Sequence, residues 1–140
     1  MKEDKIKELT RAALAARKKA YTPYSRYQVG AALLTKEGKI YLGCNIENAA
    51  YTPTNCAERT AFFKAVSEGE RNFAAIAIAG GVQEEKELKY CPPCGVCRQV
   101  MMEFCHPLEF QIILVKSENE YKIYSLAELL PLGFGPENLM

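Results

Sequence analysis

Two short stretches decide how this chain is read: Cys56-Ala57-Glu58-Arg59, and Pro93-Cys94-Gly95-Val96-Cys97-Arg98-Gln99. Three thiolates are one short of the four that close a structural zinc site, so a zinc held this way keeps a position for water. Glu58, two residues after the first cysteine, offers a carboxylate to manage that water's protons. A metal, an open position and an acid/base group point together to metal-assisted hydrolysis.

The apolar and polar runs outward from these stretches predict the frame that carries them. Ile6, Leu9, Ala13, Ala16 and Ala20 recur at three- and four-residue spacing, which predicts an amphipathic helix over about the first twenty residues, ended by Pro23. Tyr27 to Leu34 reads as a strand, turning through Lys36-Glu37-Gly38-Lys39 into a second from Ile40 to about Asn45. A Thr/Pro/Asn-rich loop leads to a helix beginning near Cys56 and closed by Glu68-Gly69. Phe73 to Ala79 is a buried strand, Gln83 to Lys89 a surface connection, and Gly95 to Phe104 a helix behind Pro92-Pro93. Phe110 to Val115 and Tyr121 to Tyr124 follow as strands. Ser125 caps a short last helix, Leu126 to Leu130, ended by Pro131. The alternation implies one domain over residues 1–140, with one mixed sheet between helices.

Composition narrows the class. A chain of 140 residues with 49% hydrophobic residues builds an ordinary core without disulfide staples. A net charge of +1 gives no overall footprint for nucleic acid or for a membrane surface. Lysines and arginines crowd the first twenty residues, but Glu3, Asp4 and Glu8 interleave with them, as on a solvated helix face. Met1-Lys2-Glu3-Asp4-Lys5 has no apolar run of a secretory signal and no stretch has the length of a span, so a cytoplasmic protein is expected. There, six cysteines serve metal, catalysis or packing rather than disulfides.

Spacing alone leaves the ligand set open. Cys91, Cys94 and Cys97 form two overlapping CxxC pairs, and a closed site of Cys91, Cys94, Cys97 and Cys56 would be purely structural. Backbone position favours the set without Cys91. Cys94 and Cys97 straddle the expected helix start, where free N–H groups and the helix dipole favour thiolates, whereas Cys91 precedes two prolines. Glu58 carries a geometric condition: two residues along a helix is about 200° of rotation, so it and Cys56 share a site only over the helix's open end. His106, the one histidine, reads as a helix cap or surface residue, and Cys44 and Cys105 as small buried residues.

The two stretches, taken in order, resemble the cytidine deaminases, specifically the small homotetrameric type with three cysteine ligands, whose chemistry is that of the zinc nucleobase deaminases. Further segments share the resemblance: Tyr24-Ser25 with Val29-Gly30-Ala31-Ala32, Asn45-Ile46-Glu47-Asn48-Ala49, and Leu129-Leu130-Pro131 with Phe134-Gly135-Pro136. It implies a three-layer α/β/α sandwich with a mixed five-stranded sheet. It implies one zinc ion per subunit on Cys56, Cys94 and Cys97, with water as fourth ligand. It implies hydrolytic deamination of cytidine and deoxycytidine to uridine and deoxyuridine plus ammonia, in pyrimidine salvage. Glu58 would move the protons, giving one to N3 and later one to the departing amine.

Other roles follow from the same likeness. Arg59 would donate to the thiolates and offset their charge. Asn45 and Glu47, two apart on a strand, would hold the ribose hydroxyls. The backbone near Ala57 would meet the base. Phe134 and Tyr51 would reach into sites of neighbouring subunits. Tyr27 stands where the family commonly has phenylalanine, adding a hydroxyl that needs a partner, and Pro92 stands where a small hydroxyl residue is common. Competing readings are a deaminase of a related cytosine nucleoside or nucleoside antibiotic, and a non-catalytic zinc module. A polynucleotide editor fits less well, because no basic channel is evident.

Overall fold

The three central strands of the sheet are apolar on both sides, which calls for a layer of helix on each. Along β1 (Tyr27–Thr35), Ala31 and Leu33 enter one buried cluster while Ala32 and Leu34 enter another. The computed structural model describes residues Met1–Met140. It runs α1 (Glu3–Ala16), β1, β2 (Ile40–Cys44), α2 (Ala57–Ser67), β3 (Phe73–Val82), α3 (Gly95–Phe104), β4 (Gln111–Ser117), β5 (Glu120–Ser125) and α4 (Leu126–Leu129). The strands form one mixed sheet in the order β2-β1-β3-β4-β5, with only β3 and β4 parallel. A parallel neighbour needs a crossover, and α3 is that crossover.

On one face Ile6, Leu9 and Ala13 of α1 pack on Ala32, Leu34, Ala75, Ala77, Ile113 and Val115. On the other, Ala57, Ala61 and Phe62 of α2 and Cys97 and Met101 of α3 pack on Leu33, Ile76, Ile78, Ile112 and Leu114. The result is the expected three-layer α/β/α sandwich. Two helices share one face, so their N-termini can approach each other.

The approach of α2 to the sheet depends on a missing side chain. A Cβ at Gly43 would stand 2.3 Å from the Ala57 carbonyl oxygen and 2.6 Å from the Ala61 nitrogen, both backbone atoms of α2. Glycine here lets the helix lie directly on the edge strand β2.

Several boundaries differ from those the sequence suggests. The first helix stops at Ala16, tightens into a 3₁₀ turn over Arg17–Lys19, and gives way at Ala20 to extended backbone, before Pro23 is reached. Arg17 explains the stop: it is buried, and its guanidinium donates to the carbonyls of Gln28, Gly81 and Val82. β3 continues to Val82 rather than Ala79. Ser125 caps α4 in a reciprocal box with Glu128, as its sequence position suggests. Cys105 is buried, but Cys44 is only half-buried at the end of β2. His106 lies exposed beyond α3, and its Nδ1 accepts from the Leu108 N–H at 3.3 Å. No helix is long and apolar enough to cross a membrane.

Candidate active site

Both cysteine stretches sit at helix starts. Cys56 is the residue before the first turn of α2, and Cys94 holds the same place on α3, with extended backbone at each. Free N–H groups and the positive ends of two helix dipoles therefore face the sulfurs. Cys94 Sγ accepts from the Cys97 N–H at 3.4 Å, so this sulfur caps the helix. Cys97, one turn in, is buried.

The sulfurs of Cys56, Cys94 and Cys97 all lie within 4.8 Å of one another, and those of Cys56 and Cys94 are 3.7 Å apart. Sulfurs about 2.3 Å from a tetrahedral zinc stand roughly 3.8 Å from each other. The three side chains fit the metal. Cys91 is outside this set; its Sγ lies against Gly80 and the ring of Tyr27, where a Cβ on Gly80 would be 2.8 Å from that sulfur and 3.2 Å from the ring.

Glu58 is 4% exposed, on the first turn of α2 and close to Cys56 and Cys97. Burial pushes its carboxyl up to about 7, helped by the neighbouring Cys56 sulfur and opposed by hydrogen bonding from backbone and Cys97. A group of that pKa can both take and give a proton near neutrality. Cys56 moves oppositely. Hydrogen bonds from Cys97, Arg59 and Cys94 hold its thiol down at about 5 against the cost of burial. Cys97, buried beside the Cys56 sulfur, is pushed up. A buried carboxylate is costly to a fold and contributes nothing to a closed structural site.

Arg59 donates from Nη2 to Cys56 Sγ. Tyr27, at the start of β1, has its backbone N–H bonded to Ser25 Oγ and its carbonyl to Asn45 Nδ2. Burial raises the pKa of the Tyr27 hydroxyl to about 12, and the neighbouring Cys91 thiol adds to the shift.

Asn45 and Glu47 lie past the end of β2, on an extended continuation rather than within the strand. Ile46 between them bonds reciprocally with Asn55, through N–H to O distances of 2.9 Å both ways, which ties this segment to the residue before Cys56. Their side chains already have internal partners. Asn45 Oδ1 accepts from the Val29 N–H, and Glu47 accepts from the N–H groups of Tyr24 and Ser25 and from the Ser25 hydroxyl. Ala57 is fully buried at the start of α2. Tyr51 and Phe134 are not part of this cluster's core: they are 74% and 56% exposed.

Three contributors carry no assigned role in the sequence reading. Ser25 links Tyr27 to Glu47. Arg98 binds the carbonyls of Pro93 and Leu129, fixing the turn before Cys94 against α4. Gln99 Nε2 donates to the Phe134 carbonyl at 2.8 Å. All three lie inside or beside the quoted stretches, but nothing local in the sequence names their distant partners.

Thiols gathered at two helix starts around a buried carboxylate, on an α/β/α sandwich, define a zinc-dependent hydrolytic site as a class. Residues 3–110 match the family model described as the cytidine and deoxycytidylate deaminase zinc-binding region, and the chain belongs to this family. It is 46% identical over 134 residues to a cytidine deaminase of Sporosarcina psychrophila, covering 96% of this chain and 94% of the relative. It is 48% identical over 131 residues to that of Halalkalibacterium halodurans, covering 94% and 95%. Among solved structures, the crystal structure of cytidine deaminase from Burkholderia pseudomallei superimposes with a TM-score of 0.83 at 45% identity, covering 96% of this chain and all of that one.

Proposed function

We propose that this chain hydrolytically deaminates cytidine and deoxycytidine to uridine and deoxyuridine, releasing ammonia, with one zinc ion per subunit held by Cys56, Cys94 and Cys97. The observation that carries this reading is the buried Glu58 beside three sulfurs spaced for a tetrahedral ion. A zinc ion there supplies a Lewis acid that makes water a competent nucleophile near neutral pH. The net change replaces the exocyclic amine at C4 with an oxygen from water.

Glu58 takes the water's proton and delivers it to N3 of the pyrimidine, then takes the proton of the hydroxyl added at C4 and passes it to the leaving amine. Its carboxyl sits near the pH at which each transfer is balanced. Arg59 offsets the anionic charge of the three thiolates. The ring of Tyr27 and the backbone at Ala57 meet the base, while Asn45 and Glu47 read the sugar. Tyr51 and Phe134 complete the sites of neighbouring subunits in a homotetramer, which accounts for two large aromatics standing exposed on one chain. This activity on free nucleosides would serve pyrimidine salvage in the cytoplasm, with neither nucleic acid nor membrane as partner.

The test is direct. Purified zinc-loaded protein should abolish the cytidine absorbance band with stoichiometric release of uridine and ammonia, and a zinc chelator should stop it. Intact cytidine in the presence of the loaded protein would refute the activity.

A further inference from the structure

We propose that Ser25 is a positioning residue for sugar recognition: its hydroxyl aims the Glu47 carboxylate at one hydroxyl of the nucleoside and locks it to the backbone of Tyr27. The inference rests on the nucleoside reading above, and adds how the sugar-reading carboxylate is held.

The hydrogen bonds form a single directed chain. Ser25 Oγ accepts from the Tyr27 N–H at 3.0 Å, so the hydroxyl's one proton is free to go to Glu47 Oε2, which it meets in a short contact. Linked donors of this kind polarise one another. At the far end of the same residue, Asn45 Nδ2 donates to the Tyr27 carbonyl at 2.8 Å. Tyr27 is thus clamped by the side chains of Ser25 and Asn45, and Arg26 before it takes a left-handed backbone (φ 59°) that brings Ser25 back under it.

The acceptor count of Glu47 then limits what it can read. Oε1 takes the N–H groups of Tyr24 at 3.0 Å and Ser25 at 3.2 Å, and Oε2 takes the Ser25 hydroxyl. An ionised carboxylate offers about four acceptor sites, so roughly one remains, on Oε2. The carboxylate is also fixed from behind, because its backbone N–H donates to the Tyr21 carbonyl at 2.8 Å. These donors lower its pKa, the Ser25 hydroxyl foremost, which keeps it a pure acceptor. Glu47 lines an open cleft of about 450 Å³ with Ser25 and Tyr51. One lone pair suits one sugar hydroxyl.

The experiment compares cytidine with 2′-deoxycytidine, 3′-deoxycytidine and 2′,3′-dideoxycytidine, as substrates and as competitors of cytidine turnover, in wild type, Ser25→Ala and Ser25→Thr. Ser25→Ala should raise KM for cytidine about tenfold with kcat within about twofold, since a hydrogen bond to a charged group is lost from binding. It should leave the inhibition constant of 2′,3′-dideoxycytidine unchanged, because that ligand has no ribose hydroxyl at C2′ or C3′ for Glu47 to accept. Whichever monodeoxy nucleoside behaves like the dideoxy one identifies the hydroxyl read. Ser25→Thr, which keeps the hydroxyl, should restore KM. Equal weakening of cytidine and 2′,3′-dideoxycytidine, or no weakening of either, overturns the proposal. Should Ser25→Ala fail to fold, Ser25→Cys, nearly isosteric but a weak donor, carries the same comparison. A wild-type enzyme inactive on cytidine would instead refute the nucleoside reading itself.

Discussion

Arg59 donates from Nη2 to Cys56 Sγ across 3.3 Å, while its Nε is buried without a partner in bonding geometry, although the guanidinium also lies close to Cys97. The two residues are three apart at the start of α2, so one turn of helix places the cation beside the anion. Three thiolates on a divalent ion leave a net negative charge, which weakens the ion's pull on water. Arg59→Gln should therefore release zinc to a competing chelator about 10–100-fold more readily, the usual scale for partners of metal ligands. The acidic limb of the pH–rate profile should move to higher pH. Unchanged zinc retention and an unchanged limb would remove the charge-offsetting role.

Glu58 separates metal binding from proton transfer. Glu58→Gln keeps the shape of the buried side chain but cannot carry a proton between water and substrate. Zinc content should stay near one per chain, while kcat falls by about 10²–10⁴-fold or more. Cys97→Ala should lose the metal, whereas Cys91→Ala, altered at a sulfur outside the cluster, should keep it. Metal analysis giving the reverse pattern for the two cysteines would reassign the ligands.

Gly43 links sheet packing to the site. An alanine there puts a methyl group into the backbone of α2 at Ala57 and Ala61, immediately after Cys56. Gly43→Ala should cost about 1–3 kcal/mol of stability, the range for overpacked cores. It should also weaken zinc binding, because the helix cannot move off the strand without carrying Cys56. A variant with wild-type unfolding midpoint and zinc affinity would show that α2 seats elsewhere.

The order of strands and helices was largely legible in the residues, through the continuous apolar run Phe73 to Ala79 and the helical spacing of Ala57, Ala61 and Ala65, while the sandwich itself was implied by the family resemblance. The helix starts at Cys56 and Cys94 were legible through the prolines and polar loop before them. What was hidden depends on distance along the chain. Arg17 ends its helix by bonding carbonyls of β1 and β3, and Asn45 spends its amide on Val29 and Tyr27. No local pattern announces either. The extension of β3 to Val82 likewise follows from pairing with Tyr27 and Gln28 of β1, beyond the apolar run that ends at Ala79.

Glu47 gives a pH signature that does not involve the metal. Its carboxyl is lowered by Ser25 and by the N–H groups of Tyr24 and Ser25, against some desolvation. A carboxylate with a depressed folded pKa adds stability above its unfolded value of about 4.3, and that stability is lost as pH falls through the folded value. Residue-resolved NMR of the side-chain carboxyls should find Glu47 titrating below the ordinary range in wild type, and at higher pH in Ser25→Ala. Identical titrations in the two proteins would mean that the serine does not bear on this charge.

Phe134 tests whether sites are shared. It stands 56% exposed in a Gly/Pro-rich segment, and its carbonyl accepts from Gln99 of α3. A large exposed ring on a fixed backbone suits insertion into a neighbouring subunit better than its own core. Phe134→Ala and Glu58→Ala chains should each be weak alone. Mixed by co-refolding, they should form some sites with Glu58 from one chain and Phe134 from another. Activity above the sum of the separate proteins supports sharing, because only a mixed assembly can supply both groups to one site. If mass spectrometry confirms mixed tetramers and no activity returns, Phe134 serves its own subunit, and its exposure on the single chain has a different cause.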